Sequence, residues 1–193
     1  MGATLEIEFA AVPDRIQALE ERLRKVENRL AYVEGQSAED RVTLVVFSGD
    51  LDRVLAAFLI ATGAAAMGQQ VSMFFTFWGL SVLKKDNQLS GKTFFQKMMA
   101  LMSPDSSKSL PVSKMNYLGV GGKILRSMMK QKNVSSLEEM ISLAQELGVR
   151  MIACEMSRDL MGIADSELID GLESAGVGSF LADSLNSRTS MFI

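Results

Sequence analysis

Two short apolar runs with one helix-length segment between them constrain this chain more than any other feature. Val42-Thr43-Leu44-Val45-Val46-Phe47 is continuous, β-branched and aromatic, and bounded by Ser48-Gly49-Asp50. It is too short for a stable helix and apolar on both faces, as strands of a parallel sheet covered by helices are. Val71-Ser72-Met73-Phe74-Phe75-Thr76-Phe77 has the same character and ends at Trp78-Gly79. Between them, Leu51 to Met67 carries Ala56, Ala57, Ala61, Gly63, Ala64, Ala65 and Ala66 and closes at Gly68, a small-residue helix able to lie close on a sheet, with Asp50 or Asp52 as its cap. Strand, helix and strand in this order pair in parallel through a right-handed crossover.

The same alternation returns near the carboxyl terminus. Ser135 or Ser136 caps a helix that runs through Leu147 and ends at Gly148. A short strand, Val149 to Ala153, follows, with Cys154 at its carboxyl end; then come a turn from Glu155 to Gly162, an acidic segment from Asp165 to Glu173, a helix from Gly178 to Leu185 and a last strand from Thr189 to Ile193. The order predicts an α/β domain of the flavodoxin-like class, a doubly wound and mainly parallel sheet.

Two segments lie outside that plan. After Pro13, Ile16, Leu19, Leu23, Val26, Leu30 and Val33 recur at spacings of three and four, with charged residues between them. This heptad seam is under three heptads long, so the helix needs a partner, either its own domain or another copy in a short coiled coil that would make the protein a homo-oligomer. Gly35-Gln36-Ser37 reads as a linker, giving a helical segment over 1–37 and the α/β domain over 38–193. Inside the domain, 84–132 carries ten lysines and arginines against two aspartates, a balance of +8, while the rest of the chain has ten against twenty-one, −11. With Met98, Met99, Met102, Met115, Met128 and Met129 and a Gly119-Val120-Gly121-Gly122 turn, it reads as an insertion of loops and short helices.

Composition narrows the chemistry. The chain has no histidine and a single cysteine, which excludes Ser-His-Asp and Cys-His nucleophile pairs, histidine metal ligands, intramolecular disulfides and four-ligand cysteine zinc sites. No metal and no cofactor are expected, and a net charge of −3 gives no sign of nucleic-acid binding. Met1 to Ala11 holds Glu6 and Glu8 and no basic cluster, unlike a signal peptide, and the most apolar stretch, Val71 to Leu83, is short of the roughly 20 residues a bilayer-spanning helix needs. A cytoplasmic protein without stable membrane insertion is expected. Ser90-Gly91-Lys92-Thr93 ends like a phosphate-binding loop, but Asp86 stands where its first glycine belongs and no strand precedes it. Ser48-Gly49-Asp50, Phe77-Trp78-Gly79 and Cys154 all end strands on the edge where open parallel sheets bind ligands. A helix opening after Cys154 would favour its thiolate, against the nearby Glu155 carboxylate.

Ser48-Gly49-Asp50-Leu51-Asp52, the run Phe74 to Leu80, Lys114-Met115-Asn116, Cys154-Glu155-Met156-Ser157-Arg158-Asp159-Leu160-Met161-Gly162 and the closing Met191-Phe192-Ile193 resemble the DsrE/DsrF/DsrH-like family, in its longer, peroxiredoxin-like branch. The resemblance spans Arg41 to Ile193; Arg158 stands where many relatives have methionine. It implies a homo-oligomer in sulfur trafficking, with Cys154 carrying a persulfide between donor and acceptor proteins of the small sulfur-carrier type. Ser48, Gly49, Asp50, Phe77, Trp78, Gly79, Met156, Ser157 and Met161 would then support the thiol. Persulfide exchange needs a thiolate and a partner thiol and no histidine base. Two alternatives stand beside it: a one-cysteine, peroxiredoxin-like thiol reductase, which lacks a resolving cysteine in this chain, and a non-catalytic oligomeric scaffold. The basic insertion is expected to dock an acidic partner, with Lys84, Lys85, Lys92 and Lys97 among the contacts.

Overall fold

The computed structural model describes residues 12–36, 39–89, 91–114 and 120–193. These fall into two units, divided between Ala38 and Glu39. The first is a single helix, α1 (Val12–Gln36). Its seam residues Ile16, Leu19, Leu23, Val26 and Leu30 are all exposed. Gly35 and Gln36, expected to begin a linker, continue the helix instead; Ser37 lies outside the described residues, as do Met1 to Ala11.

The second unit is built on five parallel strands, β1 (Glu39–Val46), β2 (Gln70–Phe75), β3 (Arg150–Cys154), β4 (Glu173–Ala175) and β5 (Ser187–Phe192), in the order β4-β3-β2-β1-β5. Each neighbouring pair is parallel, with Leu44 opposite Met73 and Met191, and Phe74 opposite Ile152. The chain steps outward from β1 to β4 and then returns past β1 to place β5 on its far side, so the β1/β5 boundary is the switch point of the sheet. β4 was not foreseen: Glu173-Ser174-Ala175 is three residues long and polar, without the apolar signature of a buried strand.

Alternation along the strands sorts side chains to two faces. Leu44, Val46, Met73, Phe75, Met151 and Ala153 join the large core with Leu51, Val54, Phe58, Leu137 and Ile141. These last come from α2 (Leu51–Ala66) and α5 (Leu137–Glu146), which pack side by side. The opposite face has a smaller core of Phe74, Ile152, Cys154 and Phe180. Phe180 belongs to α7 (Val177–Leu185), which contacts β1, β2, β4 and β5. A large core on one face and a thin one on the other is the asymmetry that decides where the cysteine sits.

Local signals explain most element ends. Ser136 caps α5 in a reciprocal box with Glu139, and Gly68 and Gly148 take the left-handed conformation after α2 and α5, at φ +83° and +74°. Asp50 occupies the N-cap position of α2 but makes no capping bond; its carboxylate accepts from Ser48 Oγ at 2.9 Å instead. Asp52 turns to Ser113, whose N–H and Oγ both donate to it.

Within 84–132 lie α3 (Phe94–Met102) and α4 (Val120–Gln131). Two expectations for this segment are corrected. Val120-Gly121-Gly122 opens α4 rather than forming a turn, and Gly122 is needed because a Cβ there would stand 2.9 Å from the Leu110 carbonyl oxygen. Lys84 and Lys92 are not surface cations: Lys84 is buried, and Lys92 Nζ lies 2.7 Å from Glu167 Oε1 with both side chains at most 5% exposed. Glu167 also accepts from the Gln88 and Ala164 N–H groups. Three donors meet one buried carboxylate and tie the start of the insertion to the domain. Thr93 caps α3 with Gln96, so the glycine-lysine-threonine sequence serves capping and an ion pair; Ser90 and 115–119, including Met115 and Asn116, lie outside the described residues. Among the described residues no helix is long and apolar enough to cross a membrane.

Candidate functional site

Cys154 is the last residue of β3 and the N-cap of α6 (Glu155–Met161), so the chain turns from strand to helix at the sulfur-bearing residue itself. The helix is stopped by Gly162 in the left-handed conformation at φ +65°. The segment expected as a turn is therefore a two-turn helix whose first turn begins at the thiol. Ser157, one turn on and fully buried, donates its Oγ–H to Cys154 Sγ at 3.4 Å. Its oxygen lies 2.8 Å from Thr76 Oγ1. A serine hydroxyl has one proton, so Thr76 is the donor in that second bond. The result is a directed chain, Thr76 to Ser157 to Cys154, joining the ends of β2 and β3.

The sulfur faces the thin core. Cys154 is 4% exposed and packs in one cluster with Phe74, Ile152 and Phe180, flanked by Val45 and Ala175. The rings of Phe74 and Phe180 are 5.3 Å apart. The covering residue is thus carried by α7, a nine-residue helix, on the less densely covered side of the sheet. Of the other residues on α6, Met156 is exposed and Met161 is buried in the large core, while Ser157 hydrogen-bonds the thiol. Arg158 points away toward β4, bonding Ser174 Oγ and pairing with Asp165.

The remaining predicted residues gather elsewhere on the same edge. Ser48, Gly49, Asp50 and Trp78 line a crevice of about 280 Å³ with Phe47, Arg53, Ser81, Pro104 and Pro111, and neither Cys154 nor Ser157 reaches it. Its floor depends on two glycines. A Cβ on Gly79 would fall 2.0 Å from the Val46 carbonyl oxygen, and one on Gly49 2.8 Å from that of Trp78. Gly79 N–H bonds the Phe47 carbonyl at 2.9 Å, clamping the 3₁₀ helix Phe77–Leu83 to the end of β1. Phe77 begins that helix at φ +47°, a conformation costly for an aromatic residue, with its ring against Phe47 at 5.7 Å. Phe47 in turn stacks on Phe192 of β5.

The strand-end residues named from sequence therefore divide into two places rather than converging on one. Sequence reasoning missed Thr76, Ser81, Arg53 and Phe180. Thr76 and Ser81 had a signal: with Ser72 they are the three hydroxyls inside the otherwise apolar stretch from Val71 to Leu83.

Electrostatics set the surroundings. The Arg150 hydrogen bonds hold the Glu173 carboxyl below the usual range. Burial pushes the Glu167 carboxyl up, but Lys92 and two N–H donors outweigh it and leave it lowered. Burial lowers Lys84, opposed by the attraction of Glu167. Among the described residues no three His, Cys, Asp or Glu side chains are grouped to hold a metal ion.

Residues 38–192 match the family model described as DsrE/DsrF/DrsH-like. The chain is 42% identical over 154 residues to the Bacillus subtilis protein YrkE, covering 79% of this chain and 96% of that one. It is 35% identical over 158 residues to the sulfur carrier protein DsrE2 of Allochromatium vinosum, covering 80% and 99%. Among solved structures it matches the YchN protein from E. coli at 11% identity with a TM-score of 0.48, over 79% of this chain and 98% of that one. With a family model matched across almost the whole sheet domain and a relative covered nearly end to end, this chain belongs to the DsrE/DsrF/DrsH-like family.

Proposed function

We infer that this chain is a sulfur-relay protein that carries sulfane sulfur as a persulfide on Cys154. The observation that carries this is the placement of the chain's one cysteine at the β3–α6 junction, bonded by Ser157; similarity to a protein named as a sulfur carrier supports it. In loading, the Cys154 thiolate attacks the terminal sulfur of a donor persulfide R–S–SH. A bond forms between Cys154 Sγ and that sulfur, the donor's S–S bond breaks, and R–S⁻ leaves with the electron pair of that bond. Cys154–S–SH remains, and no external oxidant or reductant is consumed. Unloading repeats the exchange with the thiolate of an acceptor protein. The Ser157 hydroxyl, already donating to Sγ, holds the sulfur in position.

Because Cys154 is covered, transfer requires α7 to lift Phe180 from it, and burial protects the loaded persulfide between encounters. The exposed seam of α1 brings copies together as a short coiled coil. An acidic acceptor docks on the exposed lysines of the insertion, Lys85, Lys97, Lys108, Lys114, Lys123, Lys130 and Lys132, and not on Lys84 or Lys92.

The test is sulfur loading. Incubation with a persulfide donor, followed by intact-mass analysis, should add a unit of about 32 Da that a thiol acceptor removes. Cys154→Ser should gain nothing. Failure of the wild-type protein to load any sulfur, or equal loading of Cys154→Ser, overturns the assignment.

A further inference from the structure

The crevice at the end of β1 is a second site, separate from the thiol. It opens beyond the carboxyl ends of β1 and β2, the edge on which open parallel sheets place small ligands. Its walls are the rings of Phe47 and Trp78 with Pro104 and Pro111. Its polar groups are few and of opposite charge. Among the described residues the Asp50 carboxylate accepts from Ser48 Oγ through Oδ2 alone, which leaves Oδ1 for a donor. Arg53, one turn into α2, approaches that carboxylate only to 3.7 Å and is more than half exposed, so its guanidinium retains donors for an incoming group. The strongest indication lies deeper: Ser81 is fully buried, lines the crevice, and its Oγ has no hydrogen-bond partner among the described residues. An orphaned buried hydroxyl is costly, and a ligand atom facing it removes that cost.

A carboxylate and a guanidinium at one mouth, between aromatic walls, fit neither a simple anion nor a simple cation, because each would meet a like charge. They fit a molecule carrying both. The volume, about 280 Å³, equals that of about nine waters in the liquid at about 30 Å³ each, which suits a free amino acid. We propose that this crevice binds an α-amino-acid zwitterion, its ammonium on Asp50, its carboxylate on Arg53 with the Ser81 hydroxyl donating, and its side chain between Phe47 and Trp78.

The chain contains one tryptophan, and it lines the site, so intrinsic fluorescence of the full-length protein reports binding directly. Titration with L-alanine or L-cysteine should give a saturable change. Propionate, lacking the ammonium, and ethylamine, lacking the carboxylate, should each bind at least about tenfold more weakly. Arg53→Gln and Asp50→Asn should each weaken L-alanine binding about tenfold or more. Ser81→Ala should weaken it a few-fold while raising the melting temperature of the ligand-free protein, because the orphaned hydroxyl is gone. Cys154→Ser should bind normally, which separates this site from the sulfur relay. No saturable change up to about 10 mM amino acid, or propionate binding as well as L-alanine, or Arg53→Gln leaving affinity unchanged, overturns the proposal.

Discussion

Replacing Phe180 with alanine should unmask Cys154 without changing the thiol itself. Phe180 is 6% exposed, its ring is paired with Phe74 at 5.3 Å, and it belongs to the four-residue cluster that contains the cysteine. Truncation of a buried phenylalanine costs about 3–5 kcal/mol. The low end applies here, since the cluster is small and the cavity opens toward a single nine-residue helix that can settle into it. If the sulfur is reached by local opening of α7, a loss of about 3 kcal/mol raises the open population, and with it the labelling rate, about 150-fold, at a factor of ten per 1.4 kcal/mol. The assay is the rate of Cys154 modification by a small alkylating reagent under native conditions. Leu137→Ala is the control: Leu137 is fully buried in the large core on the other face, and its truncation costs a similar amount. It should leave labelling near the wild-type rate. Equal acceleration by both variants would mean that the thiol is reached only through global unfolding. No acceleration by Phe180→Ala would mean that α7 is not its cover. Either result refutes the gating argument.

Other consequences follow from particular contacts. Glu167 has a folded-state pKa below its usual 4.5, so the unfolded chain binds more protons and the stabilisation is complete above that value and lost as pH falls through the folded one; Glu167→Gln should flatten the acid limb of the stability curve below about pH 5 and, by stranding buried Lys92, cost about 3–5 kcal/mol in denaturant melts at pH 7. Gly79→Ala should cost about 3 kcal/mol or more by the same melts, since its Cβ would lie 2.0 Å from backbone; a near-neutral result would contradict the tight crossing of β1 and the 3₁₀ helix. Ser157→Ala, which strips Thr76 of its acceptor and Sγ of its donor, should destabilise by about 1–2 kcal/mol, and the double variant with Thr76→Val should recover part of that loss because both polar partners are then gone.

The parallel βαβ unit was legible because Val42–Phe47 and Val71–Phe77 are apolar on both faces and the intervening helix is rich in alanine. Their ends shifted by a residue or more: β1 starts at Glu39, on polar residues paired with β2 and β5, while β2 stops at Phe75 because Phe77 takes a positive φ that no propensity signals. The position of Cys154 at a strand terminus was legible too, from five residues of strand character followed by a polar segment. Its face was not. Whether a strand-end side chain meets the large core or the thin one depends on the alternation established by its neighbours and on which helix crosses that side, and the covering helix is contributed some 25 residues later in the chain, in α7. The fates of Lys84 and Lys92 were hidden for a related reason: ten cations in one segment read as a solvated surface, but a distant carboxylate, Glu167, pairs with Lys92, and Lys84 is buried as well. The crevice at β1 was half visible, through Ser48, Gly49, Asp50 and Trp78, while Arg53 and Ser81 were lost in helical segments with no motif of their own.

Intact-mass analysis of the full chain as isolated from cells, before and after treatment with a thiol reductant, asks most directly whether Cys154 is a sulfur carrier. A fraction of molecules heavier by about 32 Da, located to Cys154 by peptide mapping and discharged by reductant, is the predicted result. A single species at the sequence mass in wild type and Cys154→Ser alike, unchanged by reductant and by prior exposure to a persulfide donor, would contradict it.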